Sequence, residues 1–530
     1  MSGSFSRSQS VHKPGVTATS GGVVAAQHVL AAEVGAQVLA AGGDAVDAAV
    51  AVSFAIGVLE PWMSGPAGGG AMMIWRADEE KAYALNYGMR TSASLDVAHY
   101  PLSGAGVASD LFPWDAVVDD RNVEGPSSIA VPGTVSGAAK AHERFGKMPW
   151  SELLAPAVAY AKTGMQVDWY AALIISSTAK TLAKDPDAAE LFLDEGTWPK
   201  ASGWTAVTDL RLDQSGMAAT LEQLASAGAQ DFYRGDIAKA LVKDVSDKGG
   251  FLTLADMSRY EAEWQETLEI QYRGGRLWAV PKLTAGPTMA HAMDLWQQGY
   301  EPGQTPDAAS FLAIASGLRE AYRHRLETMG DHESPKAPGC TTHFSIVDRQ
   351  GNMVSMTQTL LSIFGSGVVS PSTGLLLNNG VMWFDPVAGR PNSLAPDKRC
   401  LMNVCPVIGE KGTRRFALGA SGGRKIMPAV AQISSFLMDY DMNMQEAIEA
   451  PRVDASGGAY VIADERLSES VLEALASQGP TQTTKRVPFP YAFACPAGVL
   501  RDGSVNSGTT ETFSAWGDGV AEDDVKGLPS

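Results

Sequence analysis

The amino-acid sequence changes character near residues 335–341, and this change most restricts how the chain can fold. From about residue 130 to residue 330, the spacing of apolar residues predicts mostly helices. Beyond the change, short apolar runs such as FSIVD, NMVSMTQTL, CPVIGE and RRFALGA are separated by Gly and Asn turns, which predicts strands. The two parts meet at the loop ESPKAPG, whose Pro and Gly residues are typical of an exposed, cleavable segment.

The N-terminal part predicts two helices followed by a glycine-rich loop and a hairpin. Residues 24–41 are apolar at helical spacing and end at Gly42 and Gly43, since Gly commonly follows a helix. Asp44 is the predicted N-cap of a second helix, AVDAAVAVSFAIGVLE, which is apolar on nearly all faces and is therefore expected to be buried. After PWMSGPAGGG, the runs MMIW and KAYALNY are predicted to be strands of one hairpin.

The composition limits the partners that the chain can have. Its 530 residues suggest two to four domains by length alone, and 45% hydrophobic with 19% charged residues is typical of a globular protein. The formal net charge of −18 argues against a nucleic acid or an anionic membrane as partner, because both need clustered Lys and Arg. No run of about 18 apolar residues occurs, so no membrane span is expected.

The N-terminus and the cysteines predict the compartment. The segment MSGSFSRSQSVHKPG is polar and has no apolar stretch typical of a signal peptide. The four cysteines, Cys340, Cys400, Cys405 and Cys495, form no Cys-x-x-Cys pair, so neither a zinc ribbon nor a disulfide framework is supported. We therefore expect a cytoplasmic protein that needs no metal and no cofactor.

Thr341 begins a predicted strand directly after the cleavable loop. A threonine hydroxyl needs an adjacent base to act as a nucleophile. If the chain is cut before Thr341, the freed α-amino group, with a pKa of about 7.7–8.0, can serve as that base at neutral pH. In the predicted hairpin Asp348 faces Met353. This register puts Thr342 opposite Thr359 and brings Thr359 beside Thr341, where its hydroxyl can orient the nucleophile. The alternative is an ordinary surface strand after a turn.

A second motif, GASGG at residues 419–423, lies between a predicted strand and the predicted helix KIMPAVAQISSFLMDY. Consecutive backbone N–H groups at a helix N-terminus can form an oxyanion hole, although a tight turn alone explains the pattern as well. The motif also matches G-x-S-x-G, the nucleophile elbow of α/β-hydrolases. That fold requires a histidine after Ser421, and none of the eight histidines follows it, which argues against an α/β-hydrolase.

Several motifs resemble, in the same order, those of the γ-glutamyltranspeptidases. They are AGGDAVDAAVAVSFAIGVLEPWMSGPAGGG, AVPGTVSG, CTTHFSIVDRQGNMVSMTQTL, LLLNNG and GASGGRK, and they span roughly residues 20–515. The resemblance implies an α+β fold, the four-layer αββα sandwich of the N-terminal-nucleophile hydrolases. It also implies a precursor that cuts itself between Cys340 and Thr341. The products would be a large subunit, 1–340, and a small subunit, 341–530, of one intertwined fold.

The same resemblance implies the catalytic roles. Thr341 would be the nucleophile and, through its freed amino group, the base. Thr359 would support it, and Gly422 and Gly423 would supply the oxyanion hole. The partners would be a small-molecule amide and the cleaved subunit itself, as a heterodimer or a dimer of heterodimers.

The expected substrate pocket departs from the family pattern. Gly88 stands where the family has its glutamate-binding Arg, and Arg90 lies two residues later. Met402 and Asn403 replace the Ser-Ser pair that holds the substrate carboxylate. Trp383 replaces the acid that holds the substrate's α-amino group.

Two further positions belong to the same expected pocket. Leu361 replaces an Asn that lies two residues after the supporting threonine. Asn379 ends a strand and either lines the pocket or simply forms the turn. His343 is predicted to be a packed residue or to lie behind the catalytic groups.

These departures predict that the reaction machinery is kept while the glutamyl-specific pocket is lost. Without charged partners a glutamyl zwitterion would be left unpaired, at a cost of several kcal/mol. The side chains at residues 361 and 382–384 suit a smaller or more apolar acyl group, as in oxamate amidohydrolase or cephalosporin-type acylases, while Arg90 is a candidate for holding a carboxylate. The alternatives are a true γ-glutamyl hydrolase or transferase with a rebuilt pocket, and an uncleaved, non-catalytic binding homologue.

Overall fold

The computed structural model describes residues 11–107, 114–202, 209–329, 340–457 and 459–526. Within these ranges the helices are α1 (Val29–Ala40), α2 (Ala45–Leu59), α3 (Thr134–Phe145), α4 (Trp150–Thr163), α5 (Trp169–Leu182), α6 (Pro186–Phe192), α7 (Ser215–Ala227), α8 (Asp231–Arg234), α9 (Asp236–Asp247), α10 (Leu254–Arg259), α11 (Gly286–Gln297), α12 (Ala308–Thr328), α13 (Ile426–Asp439), α14 (Met444–Glu449) and α15 (Glu469–Gln478).

The strands in the same ranges are β1 (Val16–Ala18), β2 (Val23–Ala26), β3 (Gly69–Arg76), β4 (Lys81–Tyr87), β5 (Leu102–Val107), β6 (Asp115–Val117), β7 (Leu193–Asp194), β8 (Trp198–Pro199), β9 (Glu263–Gln265), β10 (Leu268–Tyr272), β11 (Gly275–Ala279), β12 (Cys340–Val347), β13 (Met353–Leu361), β14 (Val407–Lys411), β15 (Arg414–Ser421), β16 (Val453–Asp454), β17 (Val461–Asp464), β18 (Thr481–Thr484), β19 (Cys495–Asp502), β20 (Val505–Thr510) and β21 (Asp518–Ala521).

Two antiparallel seven-stranded sheets form the centre of the molecule. Sheet I has the strand order β21-β2-β12-β13-β3-β4-β9, and sheet II has the order β1-β20-β19-β15-β14-β11-β10. Both sheets draw strands from the beginning and the end of the chain. The parts before and after residue 340 are therefore intertwined.

Three apolar cores separate four layers. One core packs α1–α4, α7 and α9 on the outer face of sheet I, where it includes Phe344 and Ile346. A second core lies between the two sheets and includes Val347 and Val499. The third packs α11–α13 on the outer face of sheet II. The order helix, sheet, sheet, helix confirms the predicted αββα sandwich and the α+β class.

The local predictions for the N-terminal part are largely confirmed. Asp44 caps α2 through a capping box with Asp47, and every residue of α2 is buried. The hairpin predicted from MMIW and KAYALNY is formed by β3 and β4. The first predicted helix, however, begins too early. Val23–Ala26 forms β2, because pairing with β12 and β21 in sheet I outweighs the helical spacing of its apolar residues.

The described part of the chain contains no helix that is both long and apolar enough to cross a membrane.

Candidate active site

The start of β12 places Thr341 inside the protein. Its side chain is only 1% exposed. Strand β12 lies within sheet I, with β2 on one side and β13 on the other. The alternative of an ordinary surface strand is therefore excluded.

The register between β12 and β13 differs by one residue from the predicted one. Thr342 pairs with Gln358 instead of Thr359, while Cys340 pairs with Leu361. The irregularity between Cys340 and Thr342 is a β-bulge, in which one strand carries an extra residue. The predicted register was wrong because the hairpin turn is one residue longer than expected, so that Val347 pairs with Met353 in place of Asp348.

The bulge restores the expected neighbourhood of Thr341. Between the two flanking pairs, Thr341 on β12 faces Thr359 and Leu360 on β13. Thr359 is fully buried, and its Oγ1 accepts a hydrogen bond of 2.8 Å from the backbone N–H of Leu361. The structure therefore brings together the two threonines that the sequence singled out.

The side chains of β12 point alternately to the helices and to sheet II. Phe344 and Ile346 pack against the helical layer. His343 and Ser345 face sheet II, where the Ser345 hydroxyl donates to the carbonyl oxygen of Ala497 at 3.2 Å. Because side chains alternate along a strand, Thr341 lies on the same face as His343 and points towards sheet II.

Sheet II offers a glycine turn on that side. A Cβ atom at Gly419 would lie 2.3 Å from the His343 ring, so β15 approaches β12 very closely. After Ser421 the chain adopts positive φ angles, 128° at Gly422 and 64° at Gly423, and then enters α13 through a short 3-10 helix. A Cβ atom at Gly422 would also lie only 2.8 Å from the Cα atom of Ala494. Both the backbone angle and the close approach require glycine.

The helix start after this turn consists of a short 3-10 turn, Gly423–Lys425, followed directly by α13. No side chain in the described ranges caps either the 3-10 turn or α13. The first N–H groups of a helix have no partner within the helix, so such a start can bind a negatively charged oxygen. The predicted strand, turn and helix are thus present.

Ser421 does not have the surroundings of a hydrolase nucleophile. Its buried hydroxyl has no hydrogen-bond partner among the described residues. The nearby His343 uses both ring nitrogens elsewhere, 2.8 Å from Thr357 Oγ1 and 2.9 Å from Ser345 Oγ. Burial lowers the pKa of His343 to about 3. This histidine is a packed residue and not the base of a Ser-His pair.

The positions that depart from the family pattern meet in space. A Cβ atom at Gly88 would lie 2.8 Å from Cε of Met402, so a larger residue at position 88 requires the end of the Met402 side chain to move. Met402 shares one buried apolar cluster with Leu361 and Trp383. Gly88 and Met402 are therefore neighbours, and we call Met402, Leu361 and Trp383 of this cluster the apolar wall.

Leu361 has an unusual backbone. Its φ angle is +88°, in the region that favours glycine and asparagine and that strains other residues by about 1–2 kcal/mol. The resemblance places an Asn at this position, and Asn tolerates such angles well. The chain therefore has a strained backbone two residues after Thr359, with an apolar side chain where the resemblance places an Asn.

Arg325 on α12 was not singled out from the sequence, although it lies behind the same wall. Its fully buried guanidinium donates to the carbonyl oxygens of Thr284 and Met402 and to Oδ1 of Asn403, each at 3.0 Å. Burial lowers the pKa of Arg325 to about 10, which leaves it charged at neutral pH. The sequence did offer a signal that Arg325 is buried. It follows Leu318 by seven residues and Tyr322 by three, which places it on the apolar face of α12.

The side chain of Asn403 uses one of its two polar atoms within the described part of the protein. Its Oδ1 is taken up by Arg325, and its buried Nδ2 has no hydrogen-bond partner among the described residues. Asn379, in contrast, is used within the protein. Its Nδ2 donates to the carbonyl oxygen of Val123 and to Ser362 Oγ, and its Oδ1 accepts from the N–H of Ser362. The turn at Asn379 is thereby held in place.

Arg90 lies at the protein surface. Its Nε donates to Asp397 at 2.8 Å in an ion pair in which both side chains are partly exposed. It lines a cavity of about 310 Å³ together with Arg259, Glu263 and Arg399. Leu361, Trp383 and Met402 belong to a separate buried cluster, which does not include Arg90.

The described residues include no group of three or more His, Cys, Asp and Glu side chains placed to hold a metal ion.

A threonine at the head of an internal strand, facing a glycine turn across an αββα sandwich, defines the class of N-terminal-nucleophile hydrolases. Comparison with solved structures agrees. Cephalosporin acylase from Bacillus halodurans superimposes with a TM-score of 0.79 at 26% identity, over 98% of this chain and 99% of the other. The γ-glutamyltranspeptidase of Helicobacter pylori gives a TM-score of 0.50 at 26% identity, over 57% of this chain and 83% of the other.

The chain belongs to the γ-glutamyltranspeptidase family, whose sequence model matches residues 31–340 and 333–492. It is 34% identical over 499 residues to the acylase ACY 1 proenzyme of Pseudomonas sp. (strain V22), covering 86% of each chain. It is 30% identical over 482 residues to the glutathione hydrolase proenzyme of Pseudomonas aeruginosa, covering 82% of each. Members of this family process themselves and act on small amides through an N-terminal threonine, and this protein is an enzyme of that kind.

Proposed function

We propose that Thr341 is the nucleophile of an amide hydrolase that the chain creates by cutting itself between Cys340 and Thr341. The cut yields residues 1–340 and 341–530, which stay together because both sheets contain strands from each part. The burial of Thr341, its place opposite Thr359 in the bulge and the glycine turn of sheet II support this assignment.

The reaction follows from these groups. The Thr341 hydroxyl attacks the amide carbonyl while its proton passes to the freed α-amino group. The backbone N–H groups at Gly422 and Gly423 stabilise the negative oxygen that forms. The C–N bond then breaks, the leaving amine takes the proton, and an ester with Thr341 remains. Water, activated by the same amino group, hydrolyses the ester, or a second amine accepts the acyl group.

We infer that the preferred acyl group is smaller or more apolar than glutamyl. The contact of Gly88 with Met402, in a cluster that also holds Leu361 and Trp383, carries this inference. Leu361, Trp383 and Met402 themselves carry no charge to pair with a zwitterion, and an unpaired buried charge is costly. The unpartnered Nδ2 of Asn403 provides one hydrogen bond to an acceptor on the acyl group.

The test compares kcat/KM for γ-glutamyl p-nitroanilide with values for acetyl, butyryl and phenylacetyl p-nitroanilides. We expect at least one of the three to exceed the γ-glutamyl compound by about tenfold or more, as expected from about 1.4 kcal/mol of lost pairing. A preference for the γ-glutamyl compound would instead establish the alternative of a true γ-glutamyl hydrolase or transferase with a rebuilt pocket.

Intact masses of freshly purified protein test the proposed cut between Cys340 and Thr341. Two fragments, with Thr341 as the new N-terminus, are expected for the wild type. A single uncut chain would remove the amino group that the mechanism needs and would favour the non-catalytic reading. The cytoplasmic location and any assembly beyond one processed pair stay predictions.

A further inference from the structure

Glu60 is a buried carboxyl group beside the residue that follows Thr341. It directly follows α2, is 3% exposed, and its Oε2 lies 3.1 Å from Thr342 Oγ1. No cationic side chain in the described ranges forms an ion pair with it or lowers its pKa. A fully buried carboxylate without a cation is costly, so the hydrogen-bond partners of Glu60 determine its protonation state.

The Thr342 hydroxyl cannot form hydrogen bonds to both of its neighbouring oxygens unless Glu60 carries a proton. The Thr342 hydroxyl has one hydrogen but contacts two oxygens, Glu60 Oε2 at 3.1 Å and Gln27 Oε1 at 3.2 Å. The orientation of the Gln27 amide is fixed by its Nε2, which donates to the carbonyl oxygen of Cys495 at 2.6 Å. Gln27 can therefore only accept from Thr342. The contact with Glu60 becomes a hydrogen bond when Glu60 is the donor.

We propose that Glu60 is a neutral carboxylic acid whose O–H donates to Thr342 and so positions the nucleophile at the head of β12. The inference rests on the proposed role of Thr341. The resulting chain of hydrogen bonds runs from Glu60 through Thr342 and Gln27 to the carbonyl oxygen of Cys495.

This chain of hydrogen bonds links the two halves of the reaction centre. Cys495 begins β19 of sheet II and pairs there with Ser421, the residue before the glycine turn. Thr342, at the other end, follows the nucleophile on sheet I. A fixed distance between nucleophile and oxyanion hole is what acyl transfer requires, since small misplacements are costly in rate.

The neutral form of Glu60 also protects the base. A carboxylate close to the freed α-amino group would raise the pKa of that group by about 1–3 units, because opposite charges favour each other. The amino group would then be protonated at neutral pH and could not accept the Thr341 proton. A carboxylic acid in the same place gives a hydrogen bond without this penalty.

The titration of Glu60 agrees with the geometry. Burial raises the pKa of Glu60 to about 8. The titratable groups that face it are Tyr491, whose pKa is raised, and Cys495, whose pKa burial raises to about 12. Both groups are neutral in the pH range in which Glu60 ionises. The cations next to these two groups are Lys425, which donates to the backbone carbonyl oxygen of Tyr491, and Lys13, which lowers the pKa of Cys495. Above the pKa of Glu60, the ionised carboxylate accepts a hydrogen bond from the Thr342 hydroxyl. The hydrogen bond from Thr342 to Gln27 is then lost.

The first experiment measures kcat/KM against pH for the best p-nitroanilide of the panel, with wild type, Glu60→Gln and Thr342→Val. Wild type should lose activity above a pH of about 8. Glu60→Gln, whose amide can still donate to Thr342, should stay within about threefold at neutral pH and lose this alkaline decline. Thr342→Val should lower kcat about tenfold at all pH values. The exposed Glu79→Gln serves as control.

Two outcomes of the rate measurement would overturn the proposal. One is a Glu60→Gln profile with the same alkaline decline as wild type, because Glu60 would then not be the titrating group. The other is a loss of about 100-fold or more in Glu60→Gln at every pH, because the carboxylate itself would then be required.

The second experiment does not depend on catalysis. Infrared difference spectra between pH 7 and pH 9.5 are recorded for the uncut Thr341→Ala chain, with and without Glu60→Gln. We expect a carbonyl band of a protonated carboxyl group that disappears at high pH and is missing in the Glu60→Gln chain. A band that is equal in both chains would overturn the proposal even if Thr341 is the nucleophile. If no anilide is cleaved, the same spectra still decide the state of Glu60.

Discussion

The reaction centre and the wall of the expected acyl pocket are built in different ways. In the reaction centre, Thr341 and Thr359 meet across a bulge, and Gly422 sits where neither its φ angle nor its neighbours allow a side chain. In the wall, Gly88 and Met402 fit each other through side-chain volume alone. The reaction centre thus depends on backbone geometry, which fixes the catalytic groups. The wall depends on side-chain volume, so substitutions there can be tolerated when neighbouring side chains are substituted as well.

The two regions meet at Leu361. Its backbone has a strained φ angle of +88° two residues after Thr359, and its side chain belongs to the apolar wall. This residue shows how selectivity can change beside a preserved catalytic group, because only the side chain is replaced.

The largest expected effect tests the reaction centre itself. Thr341→Ala should leave the chain uncut and lower amide hydrolysis by about 10³-fold or more, because the nucleophile is absent. Thr341→Ser keeps a hydroxyl and should still be cut. Intact mass and initial rates measure both. Normal cleavage of the Thr341→Ala chain would show that Thr341 is not the nucleophile of the self-cleavage.

Gly422→Ala tests whether backbone geometry holds the chemistry. The added methyl group would press on Ala494, and moving one oxyanion donor should lower kcat by about 10²–10³-fold. Gly412→Ala is the matched control, because Gly412 also has a positive φ, +61°, but has open space around it. Both variants should lose about 1–2 kcal/mol in unfolding free energy, while only Gly422→Ala loses activity. Equal rates in the two variants would contradict the role of the turn.

A double-mutant cycle tests the coupling in the wall. Gly88→Arg alone should destabilise the protein by about 1–3 kcal/mol, because the new side chain overlaps Met402. Met402→Ser in the same chain should recover much of this loss and raise the relative rate on γ-glutamyl p-nitroanilide about tenfold. Urea unfolding and kcat/KM give the two readings. Additive effects would show that the two positions act independently.

The smallest expected effect is on stability at low pH, and it tests whether His343 is uncharged in the folded protein. The pKa of His343 is lowered to about 3, so as the pH falls below about 6.5 the unfolded chain binds a proton that the folded chain does not. Stability should therefore fall, by up to about 2 kcal/mol between pH 6.5 and pH 5. His343→Gln should lack this part of the decline. Thermal unfolding at both pH values measures it, and an unchanged slope would mean that His343 is charged in the folded protein.

The amino-acid sequence by itself determined the elements and the motifs. The buried helix after Asp44, the hairpin of β3 and β4, and the strand, turn and helix around Gly422 follow from periodicity, capping and glycine, which are properties of neighbouring residues. The ordered motifs also identified the family and, with it, the αββα sandwich.

Only the tertiary structure decided the rest. It made Val23–Ala26 a strand, inserted the bulge beside Thr341, and brought Gly88 to Met402 and Glu60 to Thr342. Each of these depends on contacts between residues that are far apart in the chain. Such contacts are set by how the layers pack, and the local pattern of one segment carries no information about its distant partner.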